Sequence, residues 1–287
     1  MPRWLLIAPL AVAACLHRPP PSLHSAELVV QRVDGSVRAF VRATVDGEPL
    51  ALLVDTGAVR SVLPTAFARR HGLGQAARDV DERMIDAHSN VRRVQLASRV
   101  PMQFDGEPVG TLDFVVYASD DIPYAILAPQ DLVRPGFALV IDLGAGRLHY
   151  GREEQQPSPA IAFRGCAGEG PLERNHRVID VTVNGGKAQL LLDTGASRTV
   201  IASSHQAAQS MLDVQRRRST TRSVTSESDA ILLHGVQLDV AGAAFVTSVV
   251  AEPIPPGCWD GVLGADVLSS CTIVWGWSAL WLSCRAP

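Results

Sequence analysis

Two aspartates in identical tripeptides are the residues of this chain best suited to chemistry. The sequence Asp-Thr-Gly occurs at Asp55–Gly57 and again, 138 residues later, at Asp193–Gly195. Two carboxyl groups a few ångströms apart cannot easily both ionise, so such a pair shares one proton and titrates as a unit. The charged member can then act as a general base on a water molecule while the protonated member acts as a general acid. This chemistry requires the two tripeptides to meet in the folded chain.

The sequence around each tripeptide is also repeated. Residues 41–63 and 179–201 are identical at 11 of 23 aligned positions, and most other positions exchange similar residues. A single Asp-Thr-Gly is weak evidence, because Asp and Gly are common turn residues. Two copies half a chain apart indicate two equivalent halves that each supply one carboxylate. The alternative is a duplicated β-domain that keeps the motif only for folding, although buried like charges would then cost stability.

The residues before each tripeptide predict a hairpin followed by a buried strand. Val37–Thr44 and Val178–Val183 are rich in β-branched residues and lead into Asp-Gly or Asn-Gly, which are typical of two-residue hairpin turns. Leu50–Val54 and Ala188–Leu192 are largely apolar, as in a strand buried on both faces. The other predicted elements are helices at Ala66–His71 and Ser203–Leu212, strands at Val91–Ala97, Gly110–Val116, Phe137–Leu143, Ile231–Val240 and Phe245–Ala251, and a hairpin over Thr272–Ser283.

These segments make the chain resemble the aspartic proteases of the retropepsin-like and pepsin-like fold, with two related lobes in one chain. The family pattern of two apolar residues and a Gly follows each tripeptide. It matches closely at 260–268, whereas 124–132 has Ala128 in place of the Gly. The resemblance implies an all-β fold of two pseudo-symmetric acid-protease lobes. Each lobe would be a closed or partly open β-barrel with a short helix.

The same resemblance assigns roles to the two tripeptides. It implies that Asp55 and Asp193 are the catalytic pair of an endopeptidase, which hydrolyses peptide bonds without a covalent intermediate, a metal or a cofactor. The supporting residues of the two loops are Thr56, Gly57, Thr194 and Gly195. The threonine hydroxyls would bond across to the opposite loop, and the glycines would let backbone N–H groups approach the carboxylates.

Two features leave a second function open. The hairpins expected to cover the site, 84–94 and 222–232, lack the Tyr of the pepsin-like flap, and Ala128 could crowd the first loop. The alternative is a catalytically silent envelope protein that binds a peptide between its lobes.

The N-terminus resembles an export signal. Residues 4–14 are apolar, follow one positive charge and are too few to cross a bilayer as a helix. They lead into Cys15 in a sequence that resembles the lipobox of bacterial lipoproteins. This implies lipidation of Cys15 and attachment to the bacterial envelope, at the outer membrane, on its periplasmic or surface face. A plain secretory signal with an incidental Cys is the alternative. The predicted organisation is signal peptide 1–14, tether 15–27, N-terminal lobe 28–152, linker 153–172 and C-terminal lobe 173–287.

The remaining cysteines are even in number, which in an exported protein predicts disulfides. They are Cys166, Cys258, Cys271 and Cys284, and four cysteines allow three pairings. The predicted C-terminal hairpin sets Cys271 opposite Cys284, which would leave Cys166 to pair with Cys258. Four free, buried thiols are the alternative.

Composition and the motifs not found narrow the function further. The net charge of −3, with both signs interspersed, gives no basic face, so we expect no nucleic-acid partner. The sequence contains no His-Glu-x-x-His and no Gly-x-Ser-x-Gly, which argues against a zinc site and a serine hydrolase. The expected partners are a peptide or protein substrate and a membrane. One chain carries both carboxylates, so we expect a monomer.

Overall fold

The computed structural model describes residues 24–33, 36–73, 83–85, 91–117, 124–152, 161–165, 176–212, 217–222, 227–254 and 257–285. The first half contains the helices α1 (Thr65–Arg70) and α2 (Pro129–Leu132) and the strands β1 (His24–Val33), β2 (Ser36–Val45), β3 (Glu48–Val54), β4 (Val62–Leu63), β5 (Arg83–Ile85), β6 (Val91–Phe104), β7 (Glu107–Tyr117), β8 (Ala125–Leu127), β9 (Phe137–Asp142) and β10 (Arg147–Arg152). The second half contains α3 (Gln206–Leu212), α4 (Ala265–Leu268), β11 (Val178–Val183), β12 (Gly186–Leu192), β13 (Val200–Ala202), β14 (Arg217–Arg222), β15 (Glu227–Val240), β16 (Ala243–Glu252), β17 (Gly261–Leu263), β18 (Cys271–Gly276) and β19 (Leu280–Cys284).

Both halves pair their strands in the same order. In the first half β2, β3, β8, β4, β7 and β6 are successive neighbours, and β6 pairs again with β2. In the second half β11, β12, β17, β13, β16 and β15 follow the same order, and β15 pairs again with β11. Each half is therefore a ring of six strands. The predicted all-β architecture of two related lobes is confirmed.

The predicted hairpin turns form at the expected dipeptides. Asp46 and Gly47 have φ angles of 48° and 82°, and Asn184 and Gly185 have φ angles of 48° and 81°. Positive φ at both central positions defines the type I′ turn, whose twist matches that of the flanking strands. These turns fix the register of β2 with β3 and of β11 with β12, and so place the residues that follow β3 and β12.

A short parallel strand supports the end of each of those two strands. β8 pairs in parallel with β3, and β17 pairs in parallel with β12. β3 and β12 end in side chains with almost no exposure, including Leu52, Val54, Leu190 and Leu192. Burial on both sides explains the apolar sequence of these strands. The chain leaves β3 and β12 from fixed positions, directly before the two aspartates.

The last hairpin belongs to the sheet of the first half. β18 pairs with β9, and β19 pairs with β18, so the sheet continues from β10 through β9 to β19. Cys271 and Cys284 lie opposite each other and form a disulfide, which confirms that predicted pair. Cys258 is also disulfide-bonded. Cys166 lies outside the described residues, so its pairing with Cys258 stays a prediction.

The first strand begins earlier than the predicted lobe boundary. β1 starts at His24, so residues 24–27 of the predicted tether pair with β10. They join the sheet because Ala26 and Leu28 bury their side chains in the core. The rest of the tether, including Cys15, lies outside the described residues, as does most of the predicted linker. Among the described helices, none combines the length and the apolar composition that a membrane crossing would need.

Candidate active site

The two aspartates occupy equivalent positions at the ends of β3 and β12. The backbone N–H of Asp55 donates to the carbonyl of Leu127 at 3.0 Å. The N–H of Asp193 donates to the carbonyl of Leu263 at 3.1 Å. Leu127 and Leu263 end the short strands β8 and β17, so each aspartate is fixed to the parallel strand beside it.

Each carboxylate also accepts two backbone hydrogen bonds from its own loop. Oδ1 of Asp55 accepts from the N–H groups of Gly57 and Ala58, at 2.9 and 2.8 Å. Oδ1 of Asp193 accepts from the corresponding residues of its loop, Gly195 and Ala196, at 2.8 and 3.0 Å. These bonds set the direction of both carboxyl groups and leave Oδ2 of each for other partners.

The two carboxyl groups meet. Asp55 and Asp193 lie close enough for the charge of Asp193 to raise the pKa of Asp55. Each carboxyl also lies against the glycine of the opposite tripeptide. A Cβ atom on Gly57 would lie 2.4 Å from Cγ of Asp193, and a Cβ atom on Gly195 would lie 2.3 Å from Cγ of Asp55. Only glycine leaves room for the opposite carboxylate at these two positions.

Four hydrogen bonds made by Thr56 and Thr194 lock the loops together. The N–H of Thr56 donates to Oγ1 of Thr194 at 3.1 Å, and the N–H of Thr194 donates to Oγ1 of Thr56 at 2.9 Å. Each hydroxyl then donates to a carbonyl of the opposite half, Leu192 at 2.8 Å and Val54 at 2.7 Å. Both threonines are buried, and every donor in this network has an acceptor. The two halves are thereby held in register at the carboxylates.

The proximity of the pair changes its titration. Burial raises the pKa of Asp55 well above its ordinary value, and the charge of Asp193 and the hydrogen bond to it raise this pKa further. The N–H groups of Ala58 and Gly57 oppose the rise because they stabilise the carboxylate. Asp55 therefore keeps its proton at pH values where an isolated aspartate would have lost it.

A buried hydroxyl supports each loop from behind. In the first half Oγ of Ser61 accepts from the N–H of Ala128 at 3.0 Å. In the second half Oγ1 of Thr199 accepts from the N–H of Gly264 at 3.1 Å and donates to Asp266 at 2.8 Å. These residues follow the tripeptides at matching positions. They tie each loop to the segment that follows β8 or β17.

A half-buried carboxylate completes each of these supports. Asp131 in α2 accepts from the N–H of Ser61 at 2.6 Å, and Arg60 lies 3.8 Å from it. Asp266 in α4 plays the corresponding part for Thr199. Burial raises the pKa of both Asp131 and Asp266, and their hydrogen bonds to Ser61 and Thr199 oppose this rise.

One backbone bond of the second half is replaced by a side chain in the first. The N–H of Ala265 donates to the carbonyl of Ala196 at 2.8 Å. The residue at the matching position of the first half is Pro129, which has no N–H. There the side-chain amide of Gln130 donates to the carbonyl of Ala58 instead. The carbonyls of Ala58 and Ala196 therefore both accept a hydrogen bond. The donor is a side-chain amide in the first half and a backbone N–H in the second.

Sequence reasoning did not anticipate two side chains near the first loop. Nε2 of His176 lies 3.0 Å from the carbonyl of Gly57 and must donate to it, because a carbonyl only accepts. The His176 ring also packs edge-on against Trp259. Tyr124 and Ala58 both pack against the buried pair Val62 and Ile126. His176 comes from the second half, and no local pattern in the sequence indicates a contact across 119 residues.

The other predicted site residues divide into two groups. The tripeptide residues Asp55–Gly57 and Asp193–Gly195 come together as one site. The hairpins predicted to cover it begin with β5 paired to β6 and with β14 paired to β15, but their turns lie outside the described residues. Within the described ranges, no group of three His, Cys, Asp or Glu side chains is arranged to hold a metal ion.

Comparisons with known proteins agree with this geometry. Residues 41–127 match the family described as "Aspartyl protease", and residues 179–270 match the family described as "gag-polyprotein putative aspartyl protease". The crystal structure of the aspartic proteinase from Irpex lacteus superposes with a TM-score of 0.53 over 92% of this chain and 98% of that chain, at 12% sequence identity. At that identity the likeness concerns the fold. A search of curated protein sequences found no match.

Proposed function

Because the chain belongs to the family of retropepsin-like and pepsin-like aspartic proteases, we propose that it is an endopeptidase with Asp55 and Asp193 as its catalytic pair. The observation that carries this proposal is that each carboxyl group lies against the glycine of the opposite tripeptide, while two backbone N–H groups of its own loop hold it. A family scaffold without activity would not need both carboxylates in contact, since two buried acids cost stability.

The mechanism follows from the shared proton. A water molecule that bridges the two carboxyls loses a proton to the ionised member as it attacks the carbonyl carbon of the peptide bond. The protonated member donates a hydrogen bond to the carbonyl oxygen, where negative charge develops. Transfer of a proton to the amide nitrogen then lets the amine leave and restores the shared proton. The raised pKa of Asp55 keeps one proton on the pair in the free enzyme.

The equal support of the two loops favours this function over a silent peptide-binding protein. Ala128 does not displace the first loop: the N–H bond of Asp55 to Leu127 matches that of Asp193 to Leu263 within 0.1 Å. The threonine bonds are also reciprocal. Asp55 and Asp193 are each partly accessible to solvent as residues, as a site that binds a peptide and water requires.

The decisive experiment replaces each catalytic aspartate. Asp55→Asn and Asp193→Asn should each reduce cleavage of a peptide mixture by about 10²- to 10⁴-fold between pH 3 and pH 8, because neither variant can cycle the proton. Asp180→Asn is the matched control, since this side chain is 84% exposed. Full activity in either catalytic variant would reject the assignment. Binding of peptides without cleavage by the unmodified chain would support the silent alternative.

We further propose that the enzyme is anchored in the bacterial envelope by a lipid on Cys15, and that it acts there as a monomer on peptide or protein substrates. The lipobox-like sequence supports the anchor, and the presence of both carboxylates in one chain supports the monomer. Cys15→Ser should shift the protein from the membrane fraction to the soluble fraction of cells that express it. A Cys15→Ser protein that stays with the membranes would contradict the anchor and leave the catalytic assignment untouched.

A further inference from the structure

A small apolar cluster lies directly beside the carboxyl group of Asp55. Val62 and Ile126 form a buried cluster separate from the main core, with Ala58 and Tyr124 packed against it. The N–H of Ala58 donates to Asp55 at 2.8 Å, so this cluster begins at the residue that holds the carboxyl group. Tyr124 is half-buried and forms the outer part of the cluster.

A cation is held over the ring of Tyr124. The guanidinium carbon of Arg38 lies 5.8 Å from the centre of the ring, and the ring of Phe40 meets it edge-on at 5.9 Å. Arg38 is exposed on β2, and among the described residues no carboxylate lies within ion-pair distance of it. Contact with an aromatic face restricts a guanidinium without neutralising its charge.

The segments that carry Arg38 and Tyr124 each lie next to one of the two loops. Val37, next to Arg38, donates its N–H to the carbonyl of Ser197 in the second loop at 3.1 Å. Tyr124 packs against the same buried cluster as Ala58, a residue of the first loop. Burial raises the pKa of Tyr124, the charge of Arg38 opposes the rise and the charge of Asp55 adds to it. The phenol is therefore within electrostatic reach of both the exposed cation and the catalytic pair.

The second half shows that the fold does not need an aromatic ring here. Asp260 precedes β17 as Tyr124 precedes β8. Its carboxylate accepts a hydrogen bond from the N–H of Gln189 at 2.9 Å and so supports the neighbouring strand. In the first half Tyr124 replaces this structural carboxylate with a ring that carries Arg38. The second half thus has a hydrogen-bonded carboxylate, Asp260, at this position. The first half has an exposed cation, Arg38, held over an aromatic ring beside Asp55.

We propose that Arg38, held on Tyr124, forms a subsite that binds an acidic side chain of the peptide substrate, near the bond to be cleaved. The inference rests on the proposed endopeptidase function and adds a preference to it. A guanidinium pairs with a carboxylate through two parallel hydrogen bonds, a geometry that an uncharged amide cannot match. The apolar surface of Tyr124 and Phe40 would contact the methylene groups of the same side chain.

The test compares peptides that differ by a single Glu or Gln, placed in turn at each position around one cleavable bond. At one position the Glu peptide should show a kcat/KM roughly 3- to 10-fold higher than the Gln peptide, and added salt should reduce the difference. Arg38→Gln should remove this preference. Arg42→Gln, a change of an exposed arginine on the same strand, should retain it. Tyr124→Phe should keep the preference and Tyr124→Leu should weaken it.

Equal Glu-to-Gln ratios in the unmodified chain and in Arg38→Gln, at every position, would overturn the subsite. A binding measurement on Asp193→Asn separates this failure from a failure of the proposed function. If that variant binds the Glu peptide more tightly in an Arg38-dependent way while the unmodified chain cleaves nothing, the subsite stands and the protease function falls. If the unmodified chain cleaves both peptides equally well and Asp193→Asn binds them equally, the protease function stands and the subsite falls.

Discussion

The loop that carries Asp193 is backed by Gly261 and Gly264, whereas the loop that carries Asp55 is backed by Ala125 and Ala128. A Cβ atom on Gly261 would lie 2.2 Å from the carbonyl oxygen of Val200, so that strand pair has no space for a methyl group. In the second half β13 and β17 share two paired positions. In the first half β4 and β8 share one.

The first half therefore accommodates its two methyl groups by a looser strand pairing. The ψ angle of Ala128 is 121° and that of Gly264 is 175°, which redirects the chain after β8. The carboxylate of Asp55 is nevertheless bonded as that of Asp193 is. The comparison teaches that the tripeptides and their threonine bonds set the geometry of the two carboxyl groups, while the strand beneath tolerates variation.

The largest effect should come from positions where the two halves are alike. Gly57→Ala and Gly195→Ala each place a Cβ within 2.4 Å of the opposite carboxyl carbon. Displacement of a reacting group on this scale should lower kcat by about 10²-fold or more in both variants. Gly186→Ala, whose Cβ would meet only an ordinary contact at 3.4 Å, is the control. If a peptide-cleavage assay shows a loss of kcat in only one of these two variants, the two loops are not equivalent.

The next effect should separate the halves. Gly264→Ala would push a methyl group to 2.3 Å from the backbone of Arg198, and overpacking of this kind costs about 1–3 kcal/mol or more. Ala128→Gly removes a methyl group from a site already adapted to it and should cost only about 1 kcal/mol. Urea unfolding of both variants would measure the difference. If both variants lose the same free energy of unfolding, the looser pairing of β4 with β8 does not affect stability.

A smaller effect should follow from the side chain that replaces a backbone donor. Gln130→Leu leaves the carbonyl of Ala58 without its donor and should cost about 1–2 kcal/mol in the free energy of unfolding. Adding Pro129→Ala to that variant supplies a backbone N–H at the position that Ala265 occupies in the second half, so part of the loss should return. A double variant no more stable than Gln130→Leu alone would contradict the equivalence of these two donors.

The smallest expected effect is the pH dependence of stability. The pKa of Asp55 is raised on folding, so its contribution is fully favourable below its unfolded pKa and is lost as the pH rises through the folded pKa. Asp55→Asn should therefore be more stable than the unmodified chain at pH 7, by on the order of 1 kcal/mol, or roughly 2–4 °C in Tm. The two proteins should converge in stability below the unfolded pKa of aspartate, about 3.9. An advantage that instead grows towards acidic pH would have the wrong sign.

The sequence predicted those features of the fold that depend on interactions between residues close together in the chain. The Asp-Gly and Asn-Gly turns, the apolar strands before each aspartate and the hairpin that joins Cys271 to Cys284 all follow from short-range patterns. The meeting of Asp55 with Asp193 was predictable because the repeat implied two equivalent halves. Contacts between segments distant in sequence were not predictable in this way, and His176 at the carbonyl of Gly57 is the clearest case.

The hydrogen bond from Gln130 to Ala58 could be predicted only in part from the sequence. Alignment of the two halves sets Pro129 opposite Ala265, and a proline there signals a missing N–H. Only the folded structure shows that the next side chain supplies the bond. In the same way, Ala128 raised the expectation of crowding, but no pattern in the sequence could show that the strand pairing yields while the aspartate stays in place.

The pairing of β18 with β9 has a consequence for biosynthesis. The sheet of the first half gains its final strands from residues 271–284, long after the rest of that half has been translated. Until then β9 presents unsatisfied amides and carbonyls along one side, which is the usual template for aggregation of nascent chains. A product truncated just before residue 271 would keep both aspartates and both threonines but leave that edge of β9 open, so premature termination there should yield insoluble protein.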